Sequence, residues 1–297
     1  MKIINKIKNN IRLWVQIVFT ALTNGYLLGF TKGQIYRGNS KKICVPGLNC
    51  YSCPGAIGSC PIGSLQAVIG SRNYKFSFYV IGFLMITGSF MGRFVCGWLC
   101  PFGLFQDLLH KIPFVKKIRK VPFDKYLRYL KYVVLVVFVI GLPLLLADNN
   151  GFSDPWFCKL ICPAGTLMGG IPLVSVNPAL REAIGFLFGW KMGILLLVVL
   201  LSIMIYRPFC RYLCPLGAIY GLFNRFSLYR YEVDENKCNQ CGLCQRTCEL
   251  NIKVYETPNS AECIRCGKCL KACPQDALHS TFSKKTAGCP LSHKKNH

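Results

Sequence analysis

Residues 238–274 read CNQCGLCQRTCELNIKVYETPNSAECIRCGKCLKACP, and the spacing of the thiols in this stretch decides how the rest of the chain is understood. Cys238, Cys241, Cys244 and Cys248 follow C-x2-C-x2-C-x3-C, and Cys263, Cys266, Cys269 and Cys273, with Pro274 behind them, repeat it. Three thiolates at three-residue intervals on a tight loop wrap three corners of one [4Fe–4S] cube, and the fourth, on the following turn, points to a second cube. The expected sets are Cys238, Cys241 and Cys244 with Cys273, and Cys263, Cys266 and Cys269 with Cys248. A four-thiolate zinc site needs only two Cys pairs, so eight thiols in two copies of this spacing point away from zinc. Gly242 and Gly267 are expected to let the backbone approach the cubes closely.

This stretch resembles a bacterial-type two-cluster ferredoxin. One departure is Glu249 after Cys248, where that family usually has Pro; it weakens a helix start there and leaves the ligation intact. The composition turns polar and Cys-dense after Arg230. Residues 228–282 are therefore expected to form an α+β ferredoxin domain, with 283–297 as a disordered tail.

The whole chain has 297 residues, of which 19 are Cys, 36 are Lys or Arg and 12 are Asp or Glu, for a formal charge of +24. Apolar residues make up 52% and charged residues 16%, with a mean hydropathy of +0.35. A disulfide scaffold would be shorter, a disordered chain less apolar, and a soluble enzyme more charged. A thiol-rich membrane protein is what remains. Its basic residues flank apolar runs, as bilayer anchors do. No basic, aromatic-interleaved module is visible, so nucleic acid is not an expected partner.

Four apolar runs approach the ~20 residues that cross a lipid bilayer: Ile11 to Phe30, Phe76 to Val95, Tyr126 to Ala147 and Leu187 to Tyr206. The opening MKIINKIKNNIRLW has no small-residue cleavage site after it and reads as an uncleaved first helix. Lys2, Lys6, Lys8 and Arg12, and then Lys111, Lys116, Lys117, Arg119, Lys120 and Lys125, place the N-terminus and the loop after the second helix in the cytoplasm. Four crossings return the C-terminus there. Pro163 to Leu180, broken by Gly169, Gly170, Pro172 and Pro178, is expected to be interfacial or re-entrant.

A second motif recurs in this part: Cys60-Pro-Ile-Gly, Cys100-Pro-Phe-Gly, Cys162-Pro-Ala-Gly and Cys214-Pro-Leu-Gly. Cys96, Cys158 and Cys210 precede three of the copies by four residues, and Cys44, Cys50 and Cys53 precede the first. Pro after Cys suits a helix first turn, where its missing N–H is no loss. Each motif follows an apolar run, so the pattern reads as an internal duplication. The expected fold is a membrane all-α domain over 1–227, with about four transmembrane helices. Motifs 100 and 214 would lie on the cytoplasmic face, and motifs 60 and 162 on the outer face. Cys96, Cys100, Cys210 and Cys214 would hold one [4Fe–4S] cluster. Cys158 and Cys162 would hold another with two of Cys50, Cys53 and Cys60; Cys53 and Cys60 are favoured, with Cys50 as the alternative. Cys44 and Cys289 are the expected spares, and a Cys44–Cys50 disulfide stays open.

Cys-x3-Cys-Pro after membrane helices (96–100 and 210–214), followed by a double ferredoxin, resembles the membrane polyferredoxins of the NapH, NosR and CcoG group, from Tyr36 to Ala277. The resemblance implies electron transfer in a prokaryotic plasma membrane, from a soluble low-potential donor or a quinol to an extracytoplasmic flavoprotein or reductase. It also admits a redox-linked assembly or regulatory role. The extra segment CVPGLNCYSCPGAIGSCPIG and the Cys158–Cys162 pair depart from the simple NapH pattern and favour a continuous wire.

The four His (His110, His279, His293 and His297) lie outside the apolar runs, and no C-x-x-C-H occurs, so haem is not expected. No acidic residue falls within a spanning core, which argues against an ion pump. No dinucleotide fingerprint or phosphate loop is present. The chain is expected to do no bond chemistry of its own. His110 reads as a solvated interfacial residue, and Trp14, Trp98, Trp156 and Trp190 as interfacial anchors.

Overall fold

The computed structural model describes residues 11–71, 77–113, 117–119, 121–146 and 153–282. Lys2, Lys6, Lys8, Lys116, Lys120, Cys289, His293, His297 and the tail 283–297 lie outside the described residues. Helix α1 spans Ile11–Thr23. It stops seven residues short of the expected Phe30, because the chain turns at Asn24–Gly25. There the Asn24 amide donates to Thr20 O at 3.1 Å, and the Tyr26 N–H leaves the helix for Gly55 O at 3.1 Å. A long loop follows, closed by a single parallel bridge between Cys44 and Ser59.

Each Cys-Pro-x-Gly motif then starts a helix, with Cys as the N-cap and Pro in the first turn: α2 at Pro61–Ile69, α4 at Pro101–His110, α6 at Pro163–Val176 and α8 at Pro215–Phe223. Three are preceded by a single helical turn, Phe94–Trp98, Trp156–Leu160 and Pro208–Tyr212, so the duplication read from the cysteines is also a repeat of local structure. Between the motifs run α3 (Ser77–Met91), α5 (Asp124–Leu145) and α7 (Phe186–Met204).

Two of these helices, α5 with 22 residues and α7 with 19, are long and apolar enough to cross a membrane by length and composition. Helix α1, with 13 residues, and α3, with 15, are apolar but shorter than the ~20 residues a full crossing takes. Helix α6 is 14 residues long, also too short to span. Both α5 and α6 widen into π-helical turns, at Leu135–Gly141 and Thr166–Gly170. Each widening ends two residues before a proline, Pro143 or Pro172. A proline ring clashes with the carbonyl four residues back and offers no N–H, and a wider turn relieves both.

The C-terminal unit is small. Strand β1 (Tyr231–Val233) pairs antiparallel with β2 (Leu278–Ser280), with Glu232 opposite His279. Helices α9 (Leu243–Thr247) and α10 (Lys268–Ala272) pack against each other. The unit is a repeat of 25 residues, visible in the backbone as well as in the thiols. Gln240 and Arg265, Gly242 and Gly267, and Asn251 and Asp276 all take positive φ in matching positions. At Gly242 (φ +71°) and Gly267 (φ +79°) an added Cβ would meet open space. The glycines are needed for left-handed backbone at the helix starts, and the space beside Gly242 is the cavity that Cys238, Cys241, Cys244 and Cys273 line. Lys268 reaches Glu249 at 3.0 Å, so the residue that replaces the usual Pro ties the two halves together.

Buried ion pairs fasten this unit to the helices. Glu262 accepts from Arg93 at 2.8 Å and from Lys131 Nζ, whose side chain is fully buried in α5. Burial alone would raise the Glu262 carboxyl; Arg93 and Lys131 outweigh it and hold it below the usual carboxylate range. Trp98 donates its Nε1–H to Arg265 O at 3.0 Å, so it belongs to this junction and not to a lipid interface. His110 is half-buried against Tyr206, with Nδ1 3.2 Å from Ser202 O, which corrects its reading as a solvated residue.

Candidate iron–sulfur sites

The structure gathers the thiols into four groups. Cys238, Cys241, Cys244 and Cys273 line one cavity of about 20 Å³, with Cys241 exposed to solvent. Cys248, Cys263, Cys266 and Cys269 face one another in the second half. In both halves the fourth thiol comes from the other repeat. Burial pushes the Cys263 thiol up to about 12, so without metal it stays protonated, and thiolate forms only where a cation offsets the charge.

Cys96, Cys100, Cys210 and Cys214 form a third group, each within electrostatic reach of the others. All four are at most 5% exposed; this is the closed set. Two guanidiniums cross over it. Arg93 lies three residues before Cys96 and donates to the carbonyl of Cys210 at 3.0 Å. Arg207 lies three residues before Cys210 and donates to the carbonyl of Cys96. The motif glycines make this possible. A Cβ on Gly103 would come within 3.1 Å of Arg207 Nη1, and one on Gly217 within 3.3 Å of Arg93 Nη2. Asp107 binds Arg207 through both oxygens, at 2.7 and 2.6 Å, and also binds Arg12. Burial works to raise the Asp107 carboxyl; the two arginines reverse it and hold it at about 2.

Cys50, Cys60, Cys158 and Cys162 line a fourth site, the open set, on a cavity of about 910 Å³. Cys53, favoured from the sequence, lies off this cavity, with its Sγ 3.5 Å from Asn24 Oδ1. Cys50 stands on the cavity wall in its place, with a turn between the two in which Cys53 N donates to Cys50 O at 3.1 Å. Cys44 is buried elsewhere, and Cys44 and Cys50 are both free thiols.

One feature recurs at both sets and was missed in the sequence. Gln106, six residues after Cys100, donates its Nε2–H to Cys210 Sγ at 3.0 Å and accepts from Phe209 N at 3.2 Å. Gln66, six residues after Cys60, donates to Cys158 Sγ at 3.4 Å and accepts from Phe157 N at 2.9 Å. The signal was available: aligning the four motif copies puts Gln at the same offset in two of them, and Arg three residues before two of the Cys-x3-Cys pairs.

The groups stack. A Cβ on Gly97, between Cys96 and Cys100, would lie 2.2 Å from Ile264 O, so the Cys263–Cys266 loop rests directly on the closed set. On the other side, the Leu48 N–H points at the Cys100 sulfur, and Cys50, two residues on, belongs to the open set. Two Cα steps of 3.80 Å keep the thiols of Cys100 and Cys50 within roughly 16 Å. Tyr220 fills the space between, near Cys96, Cys100 and Cys60, its hydroxyl donating to Pro46 O at 3.0 Å. A hydrocarbon core is ~30 Å thick. The expectation that the two sets sit at its opposite faces is therefore corrected to a stack of neighbours.

Among the described residues no three His, Cys, Asp or Glu side chains converge tightly enough to hold one metal ion. Four thiols at each site are the donor set that a [4Fe–4S] cube takes.

The sequence matches the 4Fe-4S binding domain family over residues 76–122 and 187–230, and a second 4Fe-4S binding domain family over 257–279. It is 32% identical to an uncharacterized protein of Methanocaldococcus jannaschii over 206 residues, covering 68% of this chain and 70% of that one. It is 28% identical to the ferredoxin-type protein NapH of Haemophilus influenzae, covering 66% and 63%. It is 29% identical to the regulatory protein NosR of Stutzerimonas stutzeri, covering 59% of this chain but only 22% of NosR. The chain belongs to the NapH/NosR-like 4Fe-4S ferredoxin-type family. No solved structure matches it. As a NapH/NosR-like protein it is an iron–sulfur electron-transfer protein that binds [4Fe–4S] clusters. The first family's two matched stretches each contain one half of the closed set.

Proposed function

We propose that this chain is a membrane wire that moves single electrons through four [4Fe–4S] sites in a fixed order. Electrons enter at Cys238, Cys241, Cys244 and Cys273, where Cys241 is exposed to a soluble low-potential donor. They pass to the site of Cys248, Cys263, Cys266 and Cys269, then to Cys96, Cys100, Cys210 and Cys214, and leave from Cys50, Cys60, Cys158 and Cys162. The acceptor is an extracytoplasmic flavoprotein or reductase. The observation that carries this reading is the contact of Ile264 O with Gly97, which seats one thiol loop on another with no side chain between them.

The route also has a direction. Lys191, in the first third of α7, lines the open cavity. At the far end of α7, Ile203 O accepts from Lys117 at 2.8 Å and Met204 O from Ile118 N at 2.9 Å, on the side where Arg119 reaches the carbonyl of Arg246 in α9. The open set and the ferredoxin unit thus lie toward opposite ends of a helix ~28 Å long, which supports a crossing with both termini cytoplasmic. Residues 1–227 form the membrane domain and 228–282 the ferredoxin domain in this reading.

The cube itself supplies one-electron redox chemistry; the chain holds it by thiolates, excludes water and tunes its potential by charge and hydrogen bonds. Anaerobic purification with iron and sulfide quantitation and redox-titrated EPR tests the proposal. Four cubes give about sixteen irons per chain; about eight would confine clusters to the ferredoxin unit and end the reading. Reduction of the clusters by quinol in liposomes, without any soluble donor, would replace the entry step.

A further inference from the structure

The two cavities lined by four thiols differ greatly in size. The one at Cys238–Cys273 holds about 20 Å³, and the one at the open set about 910 Å³. If both house the same kind of cube, the first shows how closely this chain fits one. The second keeps a volume in the ~300–1,000 Å³ range of small-molecule sites.

The walls of that extra space are basic. Arg37, Lys41, Lys42 and Lys191 line it, and among the described residues no Asp or Glu does. Lys41 and Lys191 are held by neutral partners, Ala56 O and Cys158 O, each at 3.1 Å, so neither charge is cancelled. With its sulfides a [4Fe–4S] core carries about +2 or +1, so with four thiolates the cluster is net negative by about two or three; the four basic side chains exceed that, and the cavity keeps a small positive excess away from the cluster. Lys41 Nζ stands 4.8 Å over the ring of Tyr51, and Tyr36 lines the same wall. Asn49, wholly buried and lining the cavity, has a side-chain oxygen with no hydrogen-bond partner.

We propose that this cavity binds a small anionic molecule of aromatic-ring size beside the open set, with Arg37 and Lys42 at the rim holding its charge. The inference rests on the assignment of a cluster to Cys50, Cys60, Cys158 and Cys162. The anion comes either from a free small molecule or from a lipid headgroup.

The test uses the full chain, purified with its clusters into nanodiscs. Calorimetry compares anthraquinone-2-sulfonate with uncharged 2-(hydroxymethyl)anthraquinone in phosphatidylcholine discs. The sulfonate should bind about ten- to a hundredfold tighter, the worth of a charge-assisted contact. The exposed-rim variant R37Q/K42Q should lose that advantage while keeping its iron content. Loss of sulfonate binding in phosphatidylglycerol discs would support the site and assign its anion to lipid; unchanged binding would support it and assign a free ligand. Equal affinity for the two probes, or an unaffected R37Q/K42Q variant, would overturn the proposal. Iron and EPR signals separate the two readings: a protein with all its clusters but no preference for the sulfonate sinks this inference alone.

Discussion

The closed and open sets are built from the same parts and end in different states. Each has two cysteine motifs facing each other, with a glutamine six residues past one motif donating to a sulfur of the other. At the closed set, each motif glycine makes room for an arginine from the opposite half. At the open set, a Cβ on Gly63 or Gly165 would instead meet Cys158 Sγ at 3.9 Å or Cys50 Sγ at 3.8 Å, and no arginine crosses. The position three residues before Cys158 is Pro155, which cannot supply a guanidinium. One duplicated scaffold thus gives a sealed set of thiols where arginines interlock, and a set open on a cavity where they are missing.

Removing thiols should break the comparison most completely. Cys96→Ala with Cys210→Ala should remove about four of sixteen irons, and Cys50→Ala should remove the signal of the open set. Cys53→Ala should leave every cluster in place; iron and EPR analysis that shows the reverse for residues 50 and 53 would refute the geometry of that loop. Next comes the arginine clamp. Arg207→Met leaves the buried Asp107 with Arg12 as its remaining ionic partner, and should cost about 3 kcal/mol in thermal or chemical unfolding. The exposed Lys159–Asp154 pair beside the open set should cost about 1 kcal/mol or less when Lys159 is replaced by Met.

Acid sharpens the same contrast. Asp107 sits at about 2 when folded, against its ordinary 3.8. The depressed group contributes about 2 kcal/mol at pH values above 4, and that contribution fades as the pH falls from about 4 toward 2. Unfolding measured across this window should show the loss, and Asp107→Asn should flatten it. The smallest effect is expected from the glutamines. Gln106→Leu should lower the midpoint potential of the closed set and leave the open set unmoved, with Gln66→Leu doing the opposite, because an N–H···S bond favours the more negative, reduced state. Equal shifts of both signals in either variant would dissolve the distinction between the sets.

The ferredoxin repeat was legible because cluster ligation constrains spacing: the eight thiols, and the exchange of Cys248 and Cys273 between halves, follow from local geometry. The Cys-Pro-x-Gly starts were legible for the same reason, since Pro and N-cap position are local properties. What escaped depends on contacts distant in sequence. The stretch from Cys44 to Cys60 has no period, so nothing in it separates Cys50 from Cys53 until the turn over 50–53 is formed. Arg93 and Arg207 look like membrane-flanking charges until each is seen on the other half's carbonyl. The apolar run from Ile11 to Phe30 is continuous in composition, yet α1 ends at Thr23, and Gly55, far along the chain, takes the Tyr26 N–H just beyond it. The stacking of the two sets was hidden because hydropathy reports which segments favour lipid and says nothing of how deep their ends reach.

The crossed arginines tie the fate of the two halves together. Neither half owns a finished pocket, since each lends the other a buried positive charge and reserves a glycine to receive one. A chain cut in the loop between α4 and α5 would yield fragments whose closed and open sites stay empty apart and fill only when mixed, while the ferredoxin unit keeps its own iron. A substitution tolerated in one half would be tested at once against the other, so the duplicates are kept from drifting apart.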